Sequence, residues 1–186
     1  MNILQIGCNN GKDHVLEYVK AQNNIAKIVL IDASFEALER CKETYQNIPN
    51  CKFLHNAVVT DDSPFVNLFV PTNNNDSTHS SLSFDHLLKH NHEHISTIKV
   101  PAININVLLE IYKPVDRLYI DTEGLDSQLV SAINFSKYKI PYIYFEFVHS
   151  DGAFSVGQNF ERAKNLLLNN GYKLNRVDTN IEASLS

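Results

Sequence analysis

The chain has 186 residues, 44% of them hydrophobic and 10% aromatic, with only six glycines and six prolines, enough for one good core in a single domain, residues 1–186. Sixteen Lys and Arg against 21 Asp and Glu leave a net charge of −5, which argues against a broad electrostatic footprint for nucleic acid. Cys8, Cys41 and Cys51 lack C-x-x-C spacing, so neither a disulfide framework nor a cysteine zinc site is indicated, and a reducing, cytoplasmic compartment fits best.

The chain opens on an apolar strand, Ile3-Leu4-Gln5-Ile6, that breaks into Gly7-Cys8-Asn9-Asn10-Gly11. A buried strand turning at glycine into a helix leaves backbone N–H groups free for a ligand's polar or anionic end. Asn9 stands where a G-x-G-x-x-G fingerprint has its second glycine, so the loop suits a ligand without a pyrophosphate. A helix over Asp13 to Ala21 follows, then a strand from Ile28 to Asp32 whose terminal carboxylate can accept from both hydroxyls of a ribose. Ser34 caps a helix beginning at Phe35, with Ala37, Leu38 and Cys41 on one face, and Lys52 to Val59 reads as a third strand.

Residues 60–106 are less regular. Phe65 to Val70 can form a strand, Pro71 to Ser81 is a polar loop, Phe84 to Lys89 begins a helix, Ile98 to Ile105 is extended, and Asn106 to Tyr112 is a short helix. Regularity returns with the strand Arg117 to Asp121, a helix over Leu125 to Phe135 and the nearly all-apolar strand Tyr142 to Val148, interrupted by Glu146. A helix over Phe160 to Leu168 and a last strand, Tyr172 to Val177, complete an α/β pattern: a doubly wound, mostly parallel sheet with helices on both faces. No charged leader and no apolar run near ~20 residues supports export or membrane spanning, so the sequon-like Asn75-Asp76-Ser77 and Asn134-Phe135-Ser136 read as chance.

In open α/β sheets ligands bind beyond the carboxyl ends of the strands. The residues there form one set: Gly7 to Gly11, Asp32, Asn56 and Ala57, Asp121 and Glu123, and Glu146 with His149. Asp121-Thr122-Glu123-Gly124-Leu125-Asp126, preceded by Val100-Pro101-Ala102-Ile103 and a short helix, resembles the signature of the FkbM-type S-adenosylmethionine-dependent methyltransferases, a family with a Rossmann-like class I fold. The resemblance covers nearly the whole chain. It extends to the glycine loop, to Asp32 as the ribose acid, to Ser80-Ser81-Leu82 and to the glutamate and histidine at 146 and 149.

The resemblance implies S-adenosylmethionine as cofactor. Gln5, Gly7, Cys8, Asn9, Asn10 and Gly11 would hold its methionine end and Asp32 its ribose. Ala33, Asn56 and Ala57 would lie at the adenine, with the methyl group toward Asp121. The acceptor implied is a sugar, glycan or small-molecule hydroxyl, with His149 or Asp121 as the base and Glu123 and Glu146 orienting acceptor or base. The family usually carries an acid where this chain has Gln5, which can orient the loop by hydrogen bonding but brings no charge.

Simpler readings accompany each assignment. The glycines also suit a ligand-free turn, Asp32 and Asp121 also suit helix caps, and His149 also suits an ordinary loop. The runner-up functions are a catalytically degenerate cofactor-binding module and a nucleotide-dependent oxidoreductase, the latter disfavoured by the missing middle glycine. His86, His90, His92 and His94 lack the H-E-x-x-H pattern and read as a solvated helix end, so no metal site is assigned. A divalent cation on Asp121, Glu123 and Glu146 is chemically reasonable but not required by spacing. No nucleic-acid or membrane partner is expected, and the acceptor surface would come from residues 60–106 or from another subunit of a homo-oligomer.

Overall fold

The computed structural model describes residues 1–72 and 80–185. The tripeptide Asn75-Asp76-Ser77 and most of the polar loop read between Pro71 and Ser81 lie outside the described residues. In chain order the elements are β1 (Asn2–Ile6), α1 (His14–Lys20), β2 (Lys27–Asp32), α2 (Phe35–Thr44), β3 (Cys51–His55), β4 (Ala57–Val59), β5 (Phe65–Pro71) and α3 (Phe84–Lys89). They continue with β6 (Ile95–Asn104), α4 (Ile105–Tyr112), β7 (Arg117–Ile120), α5 (Asp126–Ala132), β8 (Tyr142–Glu146), α6 (Gln158–Asn169), β9 (Tyr172–Val177) and β10 (Asn180–Leu185).

Seven strands form the main sheet in the order β3-β2-β1-β7-β8-β10-β9. Pairing is parallel from β3 to β8, and β10 runs antiparallel to both of its neighbours. The inner strands are largely apolar because both faces are covered. Alternate residues, Leu4, Ile6, Val29, Ile31, Leu118, Ile120, Ile143 and Phe145, meet Leu108, Leu129, Ala163 and Leu167 of α4, α5 and α6. The intervening residues, Ile3, Ile28, Leu30 and Tyr119, meet Val15, Leu16 and Val19 of α1 and Leu38 and Cys41 of α2. Gln5 shares the second face and is 3% exposed.

The expected third strand is two strands. The Asn56 N–H donates to the Asp32 carbonyl at 3.1 Å, which ends β3 there, and β4 passes into a separate three-stranded sheet, β4-β6-β5. β6 starts before the extended stretch read from sequence and serves both neighbours, parallel to β4 and antiparallel to β5. Ala57, Leu68 and Val100 form its small core, joined by Ala33 and Leu82. The irregular insert is thereby anchored beside the end of β2.

Two further elements differ from the sequence reading. α5 stops at Ala132 because the Asn106 side chain takes its carbonyl at 2.8 Å and accepts the Asn134 N–H at 2.9 Å. Beyond β9 the chain turns back as β10, with Ile181 and Ala183 buried on its inner face. Among the described residues no helix is long and apolar enough to cross a membrane.

Phe145 is fully buried in the centre of this sheet, so Phe145→Ala should cost about 3–5 kcal/mol through lost transfer energy and a residual cavity. Ile111→Ala, at a side chain 56% exposed, should change stability by no more than about 0.5 kcal/mol. Denaturant unfolding of both variants checks the assignment of the core.

Candidate active site

Three strand ends are tied by backbone bonds. Gly7 and Cys8 N–H groups donate to the Ile31 carbonyl at 2.9 and 3.1 Å, and the Asp121 N–H donates to Ile6 at 2.9 Å. Gly7 has φ +77, and a Cβ built on it would lie 1.6 Å from the Asp121 carbonyl oxygen, so only glycine allows the loop and the end of β7 to meet. Next to it, Asn9 adopts φ +43 and donates its N–H to Asp32 Oδ2 at 2.8 Å. Asp32 Oδ1 accepts the Ser34 N–H, also at 2.8 Å. Burial raises the Asp32 pKa, and these two N–H groups oppose the rise. Each oxygen keeps a further lone pair for a ligand.

A cleft with about 660 Å³ of space opens over this junction. Gly7, Asn9, Asp32, Ala33, Asn56, Ala57, Asp121 and Glu123 all line it, as the sequence reading expected. Other expected contacts lie elsewhere. Cys8 is buried against Cys41, Gly11 abuts Cys41 and Tyr45, and Asn10 lines a separate depression with Lys12 and Arg40. The donors expected at the start of α1 are taken, because Asp13 Oδ1 accepts from Val15 and Leu16. Gln5 donates through Nε2 to Asp13 Oδ2 at 2.6 Å.

The insert supplies residues that sequence reasoning did not place in the cleft. Leu68, Ser80, Ser81 and Leu82 line its far wall, and Ser81 Oγ donates to the Glu123 carbonyl at 2.8 Å. The Ser80-Ser81-Leu82 resemblance was the available signal for three of them, whereas Leu68 had none. Glu123, at φ +53, also faces His86 Nε2 at 3.1 Å. His86 is 1% exposed, so the helix end expected to be solvated turns one of its histidines inward.

Negative charge concentrates at the ends of β7 and β8. Asp121 and Glu146 share a depression with Gln5 and Asp13. Asp121 keeps an accessible face there although protein encloses it on most sides. That enclosure, then the charges of Asp126, Glu123, Glu146 and Asp13, hold its pKa well above the usual carboxylate range. Burial, with Asp126 and Glu123, pushes Glu146 up to about 7. Burial lifts Asp126 to about 6, against the hydrogen bonds from Thr122.

His149 stands 3.7 Å from Glu146 Oε2 through Nε2. Its Nδ1 accepts the Phe154 N–H at 3.0 Å. A nitrogen that accepts cannot carry the proton, so the neutral ring is protonated on Nε2, toward Glu146. Among the described residues two groups of side chains come close enough to share an ion: His86, His90 and His149, and Glu123, Glu146 and His149. The carboxylate group thus contains His149 rather than the expected Asp121. Both groups need a lone pair from His149, and its one acceptor nitrogen is engaged with Phe154.

The strand order, the glycine loop, and the paired acids after β2 and β7 define a Rossmann-like class I methyltransferase. Among solved structures the fold is similar to an O-methyltransferase from Bacillus cereus in complex with SAH, at 14% identity and TM-score 0.56 over all of this chain and 74% of that one. It is also similar to a spermidine synthase in complex with the transition state analogue AdoDATO, at 14% identity and TM-score 0.50 over all of this chain and 53% of that one. Comparison with curated proteins gives no match. The Methyltransferase FkbM domain matches residues 5–174, and the chain belongs to the FkbM family of S-adenosylmethionine-dependent methyltransferases.

The raised Glu146 pKa predicts a stability signature. A carboxyl ordinarily near 4.5 and near 7 when folded binds more protons in the native state across that window, so folding stability falls as pH rises through it. Glu146→Gln should remove that slope, leaving the variant progressively more stable relative to the parent between about pH 4.5 and 7. Paired urea denaturation at pH 5 and pH 8 measures the difference, and an unchanged difference would place the Glu146 pKa near its ordinary value.

Proposed function

We propose that this protein transfers the methyl group of S-adenosylmethionine to a hydroxyl oxygen of a small molecule or glycan, with Glu146 taking the hydroxyl proton and His149 orienting Glu146. When bound, the cofactor supplies an electrophilic methyl group on a positively charged sulfur. The residues present suit it. Asp32 can receive a vicinal diol, and Ala33, Ala57, Val58, Leu68 and Leu82 offer an apolar bed for a flat ring. Gln5 Oε1 and Asn9 Oδ1 are buried acceptors without partners beside the glycine loop, which suits an ammonium group. The crowded acids at 121, 123 and 146 suit a cation.

The observation that carries the reading is Glu146, a carboxyl with pKa about 7 at the end of β8. A base works best when its pKa lies near the operating pH. His149 and Asp121 were the expected bases, but the acceptor nitrogen of His149 is engaged by Phe154 and its other ring nitrogen stands 3.7 Å from Glu146 Oε2, which suits it to orienting the carboxylate rather than competing with it. Asp121 is crowded by four acids, which favours a charge-balancing role. Ser81 and His86 fix Glu123 from the insert side.

Titration calorimetry with S-adenosylmethionine and S-adenosylhomocysteine, followed by methyl-release assays on neutral sugars, tests the proposal. Asp32→Ala should abolish binding of both. At pH 6.5 S-adenosylmethionine should release more protons to buffer than S-adenosylhomocysteine, because only its sulfonium lowers the pKa of the acid cluster. Turnover should rise with pH and level off above about 7. Glu146→Gln should lower kcat by roughly 10²–10⁴ and abolish that rise. Tight binding with no methyl release to any acceptor would instead favour a cofactor-binding module.

A further inference from the structure

The depression that Asp121 and Glu146 share lies between the start of α1 and the β9–β10 turn and holds about 590 Å³ of space. Asp13, Asp121 and Glu146 bring carboxylates to its wall, while His14 and Tyr144 bring aromatic rings. Proton transfer to Glu146 uses the acids and leaves the rings without a task.

Tyr144 stands two residues before Glu146 on β8, so both side chains leave the same face of the sheet. Its half-buried ring packs on exposed His14 at 4.5 Å between centroids and on Tyr119 at 6.0 Å. Tyr119, behind it, is 3% exposed and accepts from Arg117 Nε at 2.7 Å, so Tyr144 and His14 are the rings the depression presents. Aromatic rings prefer tilted or offset partners with centroids about 4.5–7 Å apart, and a flat acceptor ring can extend this stack beside Glu146.

Chemistry narrows the ring further. A phenolic hydroxyl, with a pKa of about 10, lies closer to a base at about 7 than an alkyl hydroxyl, which resembles water at about 15.7. Anionic acceptors meet Asp13, Asp121 and Glu146 as like charges, and among the described residues no Lys or Arg lines the depression. An amine is the competing occupant. The acids that would hold its ammonium form also keep its proton on, and a protonated nitrogen has no lone pair to receive a methyl group.

We propose that this depression is the acceptor subsite, that Tyr144 is its platform, and that the acceptor is an uncharged phenol. The assignment rests on the methyltransferase reading above and adds to it the class of hydroxyl and the residue that selects it. The phenolic oxygen bonds to the methyl carbon as the carbon–sulfur bond breaks, the electron pair staying on sulfur and the phenolic proton passing to Glu146. The positive charge on sulfur and the negative charge on Glu146 disappear together, which relieves the crowded acids.

The test offers the full chain S-adenosylmethionine with phenol, cyclohexanol, benzylamine or 4-hydroxybenzyl alcohol and identifies the products by mass spectrometry and NMR. Phenol should be methylated about 100-fold or more faster than cyclohexanol, and 4-hydroxybenzyl alcohol should gain its methyl group on the phenolic oxygen. Tyr144→Ala should raise KM for phenol roughly two- to twelvefold, and Tyr144→Phe, which keeps the ring, should restore it to within about twofold of the parent. S-adenosylhomocysteine affinity should stay within about twofold in both variants. The proposal fails if cyclohexanol or benzylamine turns over as fast as phenol, if the alkyl oxygen receives the methyl group, or if Tyr144→Ala leaves KM unchanged. Where S-adenosylhomocysteine binds but no methyl group is released, NMR titration with phenol decides: the Tyr144 ring signals should shift and Tyr144→Ala should weaken binding by the same factor, and the absence of either overturns the subsite. Should S-adenosylhomocysteine itself not bind, the methyltransferase reading is what falls, and the same phenol titration of the unloaded protein still decides the platform.

Discussion

The site depends on one close approach, that of Gly7 to the carbonyl of Asp121. A side chain at position 7 would occupy the space of that oxygen, so the glycine loop and the end of β7 can share a floor only because Gly7 has no Cβ. The consequences spread along the backbone. Gly7 and Cys8 hold β2 through Ile31, and Asp121 holds β1 through Ile6. Asn9, carried by the same loop, fixes the Asp32 carboxylate. The Asp32 carboxylate and the acid cluster are therefore positioned by one junction, not by two independently adjustable loops.

That junction forces a crowd of carboxylates together, and crowding is unfavourable without a compensating positive charge. Asp121, Asp126 and Glu146 all respond by holding protons above the ordinary carboxylate range. Structural acids tend to be resolved by a nearby Lys or Arg, but among the described residues none lines the depression shared by Asp121 and Glu146. Strained backbone accompanies them, since Asn9 and Glu123 both adopt positive φ at the cleft. Perturbed acids and strained non-glycine residues gathered around Asp121 mark this region as a candidate functional site.

Much of this was legible along the chain, because it is carried by short segments. The glycine loop, Asp32 at the end of its strand, and Asp121 to Gly124 each announce themselves within a few residues. What escaped was long-range. Leu68 becomes a wall only when β4 leaves the main sheet at Asn56, and the partner that holds Glu123 is His86, 37 positions away. The histidine-rich stretch looked solvated because its neighbours are Asn and Lys, yet α3 buries His86 and Leu87 together. β10 was readable in principle from the alternation of Ile181, Ala183 and Leu185. The tautomer of His149 was not, since it is set by a backbone N–H five residues on.

Gln5 shows how charge can matter more than residue identity. An acid at that position would bring a negative charge to the face beneath the glycine loop, and Gln5 brings none. Its amide nitrogen instead grips Asp13, whose carboxylate lines the same depression as Gln5, Asp121 and Glu146. The amide oxygen is left as a buried acceptor. The local field is therefore negative without an acid at position 5, because Asp13 caps α1 with one oxygen and meets Gln5 with the other. An acid at position 5 would face Asp13 as a like charge at the distance where Gln5 now donates, which would raise one pKa of the pair or break the cap. In this chain the glutamine is the residue compatible with a helix cap that already supplies the charge.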